Sequence, residues 1–404
     1  MEQAQIKQDL QQKIFGHPSV KQLNSYSQSV LSKLSKCHTV KLGVHVYRCN
    51  QCHHQHYQYH SCGNRHCPNC GGLKREQWLQ DRMSELLPTT YFHIVFTLPQ
   101  QLRSIVMGNR KVLFNLLFEA STYTLRKLGQ DEKYLGGTPG IISILHTNGQ
   151  DLSFHPHVHS IVSGGGLSKE GKWKKEKRAN GNFLFPRRAM EKIFKGYFLE
   201  KITRLKNSDQ LKIEDETEFE RILNEVKYVK WNVYAKRPFG GPRQVLEYLG
   251  RYTHKVAITT HRILNISDTE ITFKYKDYKD GNKQKEMTLS HEEFLRRFEQ
   301  HILPKGFVKI RHSGFLSHQN KTERLKEICK QFEIEPPPPK VKLPVSVLAM
   351  MKYGVDIGLC TVCKTGRIER IATYINVSHE GVHLVDIDLL RNRGSPKKLQ
   401  KSAV

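Results

Sequence analysis

The pattern of hydrophobic and polar positions changes abruptly near residue 90. Residues 91–98 form an apolar, β-prone run that stops at Pro99, which is typical of a strand buried on both faces. Residues 102–128 carry apolar side chains at helical spacing, and residues 141–146 and 154–162 predict two strands joined by a polar turn. This order of strand, helix and hairpin predicts an α+β fold.

The same pattern divides the chain into three predicted units. Residues 1–85 become dense in Cys, His, Gly and Tyr, a composition that builds little apolar core without a metal. Residues 86–325 carry the α+β pattern, continued by a charged helical stretch and short strands. A run of prolines at 336–339 predicts a stiff linker, so we expect residues 326–404 to form a basic tail.

The charge of the chain indicates its kind of partner. The 404 residues include 65 Lys and Arg against 38 Asp and Glu, a net charge of +27. This excess predicts a polyanionic partner, with nucleic acid the first candidate. No long apolar run predicts a membrane span or a secretion signal, so we expect a cytoplasmic protein acting at the nucleoid. Self-association is left open.

Two cysteine pairs have the spacing of zinc ligands. Cys49 and Cys52 form one CxxC pair, Cys67 and Cys70 form another, and four thiolates at this spacing can surround Zn²⁺. Because such a site has no open coordination position, we expect a structural zinc that holds basic side chains such as Arg65 against DNA.

Other cysteines leave the number of zinc ions open. Cys37, Cys62 and His66 are candidates for a second site, and the alternative is that they are ordinary core or surface residues. Cys360 and Cys363 form a further CxxC pair, but no matching pair follows it in the sequence.

A strand rich in histidine predicts a different kind of metal site. In His155-Pro-His157-Val-His159 the imidazoles share one face of a strand, and a metal site is favoured over satisfied core histidines. We expect His157 and His159 to bind the ion with His146 from the neighbouring strand; Gln150 and Asp151 rank behind His146 as the third ligand. Such a site leaves coordination positions for phosphate oxygens.

Two familiar hydrolytic sites are excluded near this strand. Zinc hydrolases of the HxHxDH type need Asp-His after the pair, whereas Ser160 and Ile161 follow here. Residues 166–172 nearly match a phosphate-binding P-loop, but Trp173 replaces its Ser or Thr.

A predicted helix starting at Pro242 carries two tyrosines. Tyr248 and Tyr252 are four residues apart and so share one helix face, an arrangement that by itself more often serves packing than chemistry. Beside a bound cation, with Arg251 and Lys255 nearby, both phenols could attack a phosphodiester. Candidate DNA contacts are Arg251, Lys255, Arg65, Lys174 and Lys175.

Taken in order, these motifs resemble the two-tyrosine transposases of the HUH endonuclease superfamily, specifically the insertion sequence 91 type. The resemblance is carried along nearly the whole chain by the following segments: 60–70, 96–99, 146–150, 155–159, 164–166, 234–241 and 248–255. It implies a ferredoxin-like antiparallel sheet with the histidine strand at its centre and the tyrosine helix across from it.

The resemblance also implies a mechanism. His157 and His159 would be the HUH metal ligands for Mg²⁺ or Mn²⁺, and Tyr248 and Tyr252 would cut single-stranded DNA at transposon ends. The 5′-phosphotyrosine links formed in this way would keep the bond energy for rejoining, as rolling-circle transposition requires.

Two other functions remain as alternatives. The first is a zinc-containing protein that binds DNA without cutting it, and the second is a recombinase or nuclease of another class. Only the transposase hypothesis predicts both covalent adducts with tyrosine and dependence on a divalent ion.

Overall fold

The computed structural model describes the following residues: 2–70, 72–177, 183–236, 241, 244, 247, 250, 257–278, 280–377 and 381–385. Among them, the helices are α1 (Glu2–Asp9), α2 (Ser25–Ser35), α3 (Gly72–Met83), α4 (Arg103–Gly108), α5 (Arg110–Gln130), α6 (Arg187–Asn207), α7 (Glu216–Tyr228), α8 (His291–Glu299), α9 (Lys321–Gln331) and α10 (Val345–Tyr353). The strands are β1 (Val44–Cys49), β2 (Gln55–Tyr59), β3 (Tyr91–Thr97), β4 (Thr138–Asn148), β5 (Phe154–Leu167), β6 (Trp173–Lys175), β7 (Asn232–Lys236), β8 (Ile263–Ile266), β9 (Glu270–Asp277), β10 (Lys283–Ser290), β11 (Ile310–Ser313), β12 (Ile368–Val377) and β13 (Gly381–Val385).

The largest sheet is antiparallel and has the strand order β11-β4-β5-β3-β7, with β6 paired to the far end of β5. β5 therefore lies at the centre of the sheet, as expected for the histidine strand. The α+β fold predicted from the sequence, an antiparallel sheet with packed helices, is confirmed.

Both faces of this sheet are buried. On one face the even-numbered side chains of β3, such as Phe96, join Val158 of β5 in a core shared with α5, α6 and α7. On the other face Tyr91 and Ile161 pack with side chains from α9 and the segment around Phe315. Because side chains alternate along a strand, the odd-numbered histidines of β5 share the second face with Ile161.

A second sheet, β10-β9-β8, packs with the N-terminal helices. Its Phe273 and the Phe294 and Phe298 rings of α8 share a core with Leu10 and Leu31 from the beginning of the chain. The N-terminal helices therefore have their hydrophobic partners some 250 residues further along the chain, as the salt bridge between Lys13 and Asp268 also shows.

A third sheet, β13-β12-β1-β2, joins the two ends of the described chain. β12 pairs with β1 from Val44 opposite Tyr374 to Cys49 opposite Ile368. Residues 326–404, which the sequence analysis expected to be a basic tail, thus contain helix and strand. The reason is that β12 pairs with β1, a strand far earlier in the chain.

None of the helices in the described part of the chain is both long enough and apolar enough to cross a lipid bilayer.

Phe96 provides a test of the packing beneath the histidine strand. Its side chain is fully buried, its backbone lies opposite Val158, and its ring centroid is 5.0 Å from that of Phe194. We expect Phe96→Ala to lower the free energy of unfolding by about 3–5 kcal/mol, measured by chemical denaturation, because it leaves a cavity in the core. Phe183→Ala, at an exposed ring, should change it by less than about 0.5 kcal/mol. Equal effects of the two changes would contradict this packing.

Candidate functional site

Three imidazoles meet on the two central strands. The hairpin register places His146 of β4 directly opposite His157 of β5, and His159 follows on the same face. The ring centroids are 5.4 Å apart for His146 and His157, 4.6 Å for His146 and His159, and 4.8 Å for His157 and His159. One nitrogen from each ring lies within 4.8 Å of the others, so one cation could bind all three.

Neighbouring groups fix the orientation of two of these rings. The Nδ1 of His157 lies 2.6 Å from the carbonyl oxygen of His155, so that nitrogen carries the proton and Nε2 can bind a metal. The Nδ1 of His159 lies 2.8 Å from Nε2 of His93 on β3. His93 was missed by the sequence analysis, although it is the single charged or imidazole side chain within the apolar run of β3.

The environment favours the neutral form of His157 and His159, which is the form that binds metals. Burial, with a smaller effect of His155, lowers the pKa of His157 to about 4. Burial also lowers the pKa of His159 well below its usual value, helped by the imidazoles of His146, His157 and His93. Three imidazole nitrogens in this arrangement fit a divalent cation with coordination positions left for other ligands.

The lower-ranked candidates for the third ligand lie elsewhere. Asp151 accepts hydrogen bonds from the hydroxyl and the backbone N–H of Ser153, within the β4–β5 turn. The carbonyl of Gln150 accepts a hydrogen bond from Arg262. Of the three candidates, only His146 joins the histidine cluster.

A lysine near the cluster was also missed. The carbonyl of Lys309 accepts a hydrogen bond from Leu145, the neighbour of His146, at 3.0 Å. Burial, with a smaller effect of Arg65, lowers the pKa of Lys309 to about 8, and its charge contributes to the lowered pKa of His159. No motif in the sequence distinguishes this lysine from the many others.

The cysteines form two clusters, and the predicted grouping of Cys49, Cys52, Cys67 and Cys70 is wrong. Cys67 and Cys70 are instead grouped with Cys37 and Cys62, which from the sequence were only candidates for a second site. His66 does not belong to the cluster. The physical reason is that Cys49 and Cys52 stand at the end of β1, whereas Cys37 follows α2 and is buried against the core that contains Cys67.

The first cluster has the dimensions of a zinc site. Its sulfur–sulfur distances include 3.4 Å for Cys37 and Cys70, 3.6 Å for Cys37 and Cys67, and 3.7 Å for Cys62 and Cys70. A tetrahedron with Zn–S bonds of about 2.3 Å has edges of about 3.8 Å. The four thiols therefore fit Zn²⁺ with little adjustment.

The second cluster joins Cys49 and Cys52 to Cys360 and Cys363. From the sequence, the Cys360 and Cys363 pair had no partner. In the structure it faces the Cys49 and Cys52 pair, which lies more than 300 residues earlier in the chain. A search for ligands within one sequence window could not find this pairing.

The predicted DNA contacts are spread over the molecule. Arg65 donates hydrogen bonds to the carbonyls of Pro304 and Phe307, close to Lys309. Lys174 and Lys175 lie opposite Gly166 and Gly165 at the far end of β5. At about 3.3 Å per residue, Lys174 is roughly 23 Å from His159 along the strand.

The predicted tyrosine helix lies largely outside the described residues, which exclude Tyr248, Tyr252, Arg251 and Lys255. Gly250, between the two tyrosines in sequence, is buried so closely against Leu79 of α3 that a Cβ there would come within 2.5 Å of it. Further on, the carbonyl of Ala257 accepts a hydrogen bond of 3.2 Å from Asn148, two residues after His146 on β4.

Comparisons with protein families find two matches. Residues 140–324, which include the histidine cluster, match the family described as “Putative transposase”. Residues 4–98, which include the first cysteine cluster, match the family described as “Transposase zinc-binding domain”.

Two curated relatives are similar over most of their length. “Putative transposase y4qJ” of Sinorhizobium fredii is 38% identical over 367 residues, covering 88% of this chain and 92% of the relative. “Transposase for insertion sequence element IS801” of Pseudomonas savastanoi pv. phaseolicola is 29% identical over 374 residues, covering 90% of this chain and 87% of the relative.

Among solved structures, the conjugative relaxase TrwC in complex with oriT DNA shows a weak likeness. Its metal-bound structure is 11% identical, with a TM-score of 0.23, and the match covers 40% of this chain and 70% of the relaxase chain.

His301 tests the electrostatics near the site. Its Nε2–H donates to the carbonyl of Leu152 and its Nδ1 accepts from the Thr147 hydroxyl, both at 3.1 Å, and burial lowers its pKa to about 4. Because the unfolded chain takes up this proton near pH 6.5 and the folded protein only near 4, stability falls as the pH drops through this window.

We expect the wild-type protein to lose about 2 kcal/mol more than His301→Gln between pH 7 and pH 5, measured by urea denaturation. His54→Gln, at an exposed position, should keep the wild-type pH dependence. An unchanged pH dependence in His301→Gln would show that this imidazole is not buried in its neutral form.

Proposed function

The chain belongs to the transposases of the insertion sequence 91 type, and on that premise we propose that it cuts and rejoins single-stranded DNA at transposon ends in rolling-circle transposition. The observation that carries this proposal is the cluster of His146, His157 and His159 on the central strands. The net charge of +27 supports a nucleic-acid substrate.

The chain's own groups would prepare the scissile phosphate. The three histidines would hold Mg²⁺ or Mn²⁺, which when bound withdraws charge from the phosphate oxygens. His93 and the His155 carbonyl keep two of the rings in orientation. The Lys309 ammonium, with its pKa of about 8, stays mostly protonated at neutral pH and adds positive charge beside them.

We assign Tyr248 and Tyr252 as the nucleophiles. The contact between Asn148 and Ala257 supports this assignment, because it holds the chain following Tyr252 beside the strand that carries His146. Ala257 is five positions after Tyr252, so their Cα atoms can be at most about 18 Å apart. Arg251 and Lys255 would then contribute charge near the phosphate.

The chemistry would proceed in two steps. First, the phenol oxygen of one tyrosine loses its proton and attacks phosphorus, and the bond from phosphorus to the 3′ oxygen breaks. The 3′ oxygen takes up a proton and leaves as a hydroxyl, while the 5′ phosphate remains on the tyrosine. Later, a 3′-hydroxyl attacks this phosphotyrosine, the phenol is released and the strand is rejoined. The second tyrosine allows the target or the other end to be cut in the same way.

The remaining basic residues would hold the DNA strand on either side of the scissile phosphate. Lys174 and Lys175 lie far enough from the histidines to contact phosphates several nucleotides away. Arg65 lies close to Lys309 and so would act nearer the cut. The first cysteine cluster, within the matched zinc-binding domain, would hold the loop that carries Arg65 through a structural Zn²⁺.

The proposal is tested by trapping the covalent link. Wild-type protein incubated with labelled single strands spanning each end of the insertion element, with Mn²⁺, should form adducts that survive denaturation. Mass spectrometry should find the nucleotide on Tyr248 or Tyr252. Tyr248→Phe/Tyr252→Phe should abolish the adduct and keep DNA binding, because only the nucleophilic oxygens are removed. His157→Ala should lower adduct yield by at least about 100-fold, since a ligand is lost.

Tyr228→Phe is the matched control, because Tyr228 is highly exposed at the end of α7, and it should form adducts at the wild-type rate. Adducts in the double tyrosine variant would contradict the assignment of the nucleophiles. DNA binding without any adduct in the wild-type protein would instead favour a binder that does not cut.

A further inference from the structure

The second cysteine cluster lies partly outside the matched zinc-binding domain, which ends at residue 98. Sulfur atoms pair across the cluster at 3.7 Å, both between Cys49 and Cys363 and between Cys52 and Cys360. These distances match the edge of about 3.8 Å expected around a zinc ion. Cys49 and Cys360 are fully buried, so two of the thiols lie away from solvent.

The backbone around these thiols is arranged for thiolate ligands. The N–H of Gln51 points to the sulfur of Cys49 at 3.4 Å, and the N–H of Gly366 points to the sulfur of Cys363 at 3.3 Å. A Cβ added at Gly366 would lie only 2.4 Å from the Cys49 sulfur. The close approach of these two segments of the chain therefore requires glycine at this position.

Hydrogen bonds lock the two CxxC turns together. Asn50 donates its N–H to the carbonyl of Arg367, and its side-chain oxygen accepts from the N–H of Arg367, both at 2.9 Å. Thr365 donates to the side chain of Gln51 at 2.7 Å. The turns therefore face each other as one built site rather than as two surface loops that happen to be close.

We propose that Cys49, Cys52, Cys360 and Cys363 bind a second structural Zn²⁺, which clasps the C-terminal strand β12 onto the N-terminal strand β1. The bound ion would reinforce the pairing of β12 with β1, next to the N-terminal hairpin. It closes a loop of more than 300 residues, so metal binding here stabilises an arrangement that spans most of the chain.

Zinc content of the full chain tests this clasp. Cys360→Ser/Cys363→Ser should contain one zinc fewer per chain than the wild-type protein by elemental mass spectrometry, because two of the four ligands are lost. The control is Cys329→Ser, at a buried cysteine outside both clusters, which should keep the wild-type zinc content. Equal zinc content in the double variant and the wild-type protein would overturn the proposal.

A measurement on the unaltered protein covers the case in which the double variant does not fold. Cys52 is exposed, so without a metal its thiol is accessible to iodoacetamide, whereas zinc binding should protect it until a chelator is added. Peptide mass spectrometry should find Cys52 and Cys363 alkylated only after chelation. Rapid alkylation of Cys52 before chelation would contradict the site.

A separate observation concerns a cavity beside the histidine cluster. It has a volume of about 320 Å³ and lies between the loop of the first cysteine cluster, strand β4 and the segment before β11. This is near the lower end of the range for ligand pockets, about 300–1,000 Å³, which suits one nucleotide rather than a duplex.

The lining of this cavity combines basic and apolar side chains. Lys74, His66 and Lys309 contribute nitrogen groups, Leu303 and Phe307 contribute apolar surface, and no carboxylate occurs among the described residues that line it. His146 also reaches the cavity, which is therefore continuous with the histidine cluster.

His66 supplies an independent indication of a ligand. Its side chain is 5% exposed, and its Nε2 has no hydrogen-bond partner among the described residues. Because a buried polar atom without a partner destabilises the folded protein, a bound group that pairs with this nitrogen would remove that cost.

We propose that this cavity receives one unstacked nucleotide of the single strand next to the scissile phosphate. Its base would lie against Phe307 and Leu303 and pair with the Nε2 of His66, and its phosphate would lie near Lys309. This inference rests on the proposed function, and it makes the zinc-domain loop a reader of one base position beside the cut.

Abasic scanning tests the cavity. Single strands of one element end, each with one nucleotide replaced by an abasic site, are titrated with Tyr248→Phe/Tyr252→Phe protein so that binding is measured without cutting. One position next to the cut should lose about 10-fold or more in affinity, as expected for the loss of one stacked base.

Val308→Trp, at an exposed residue of the cavity lining, should fill the cavity. It should weaken binding of the intact strand. The abasic site at that position should then cause no further loss of affinity. Val345→Trp, at a similarly exposed valine of α10, should keep the abasic effect. An equal loss at all positions, or an unchanged abasic effect in Val308→Trp, would overturn the cavity proposal. Adduct formation by the wild-type protein would be unaffected by that outcome, so the two proposals can fail separately.

Discussion

The register between β4 and β5 is the constraint on which the candidate active site depends. It sets His146 opposite His157, and the alternation of side chains then brings His159 to the same face. A shift by one residue would turn these imidazoles into the core beneath the sheet. The register is fixed because both faces of the sheet are buried, with Val158 and Phe96 on the opposite face packed against α5 and α6.

Burial gives the cluster its chemistry as well as its geometry. The same packing that fixes the strands lowers the pKa of His157 and His159, so the rings present neutral nitrogens to a cation. It also lowers the pKa of Lys309 without removing its charge at neutral pH. Under the proposed function, a phosphate would therefore meet three imidazoles that can hold a cation and a basic side chain in one place.

The sequence predicted the local features well and the distant ones poorly. The limits of β3, the existence of the β4–β5 hairpin and the choice of His146 followed from apolar runs and from the period of a strand. Both hairpin strands extend further than the predicted 141–146 and 154–162, because β4 and β5 stay paired as far as Thr138 opposite Leu167. The cysteine partners did not follow, because Cys360 and Cys363 are paired by the β1–β12 contact, which has no local signal. The sequence analysis missed His93 for a similar reason, because the role of His93 depends on its contact with His159 on the neighbouring strand β5.

The central claim is that His146, His157 and His159 bind one divalent cation, and anomalous diffraction from crystals of the full chain grown with Mn²⁺ tests it most directly. Data collected at the manganese edge should show a single strong peak within bonding distance of a nitrogen from each of the three rings. Manganese bound elsewhere, with no peak between these rings, would contradict the account.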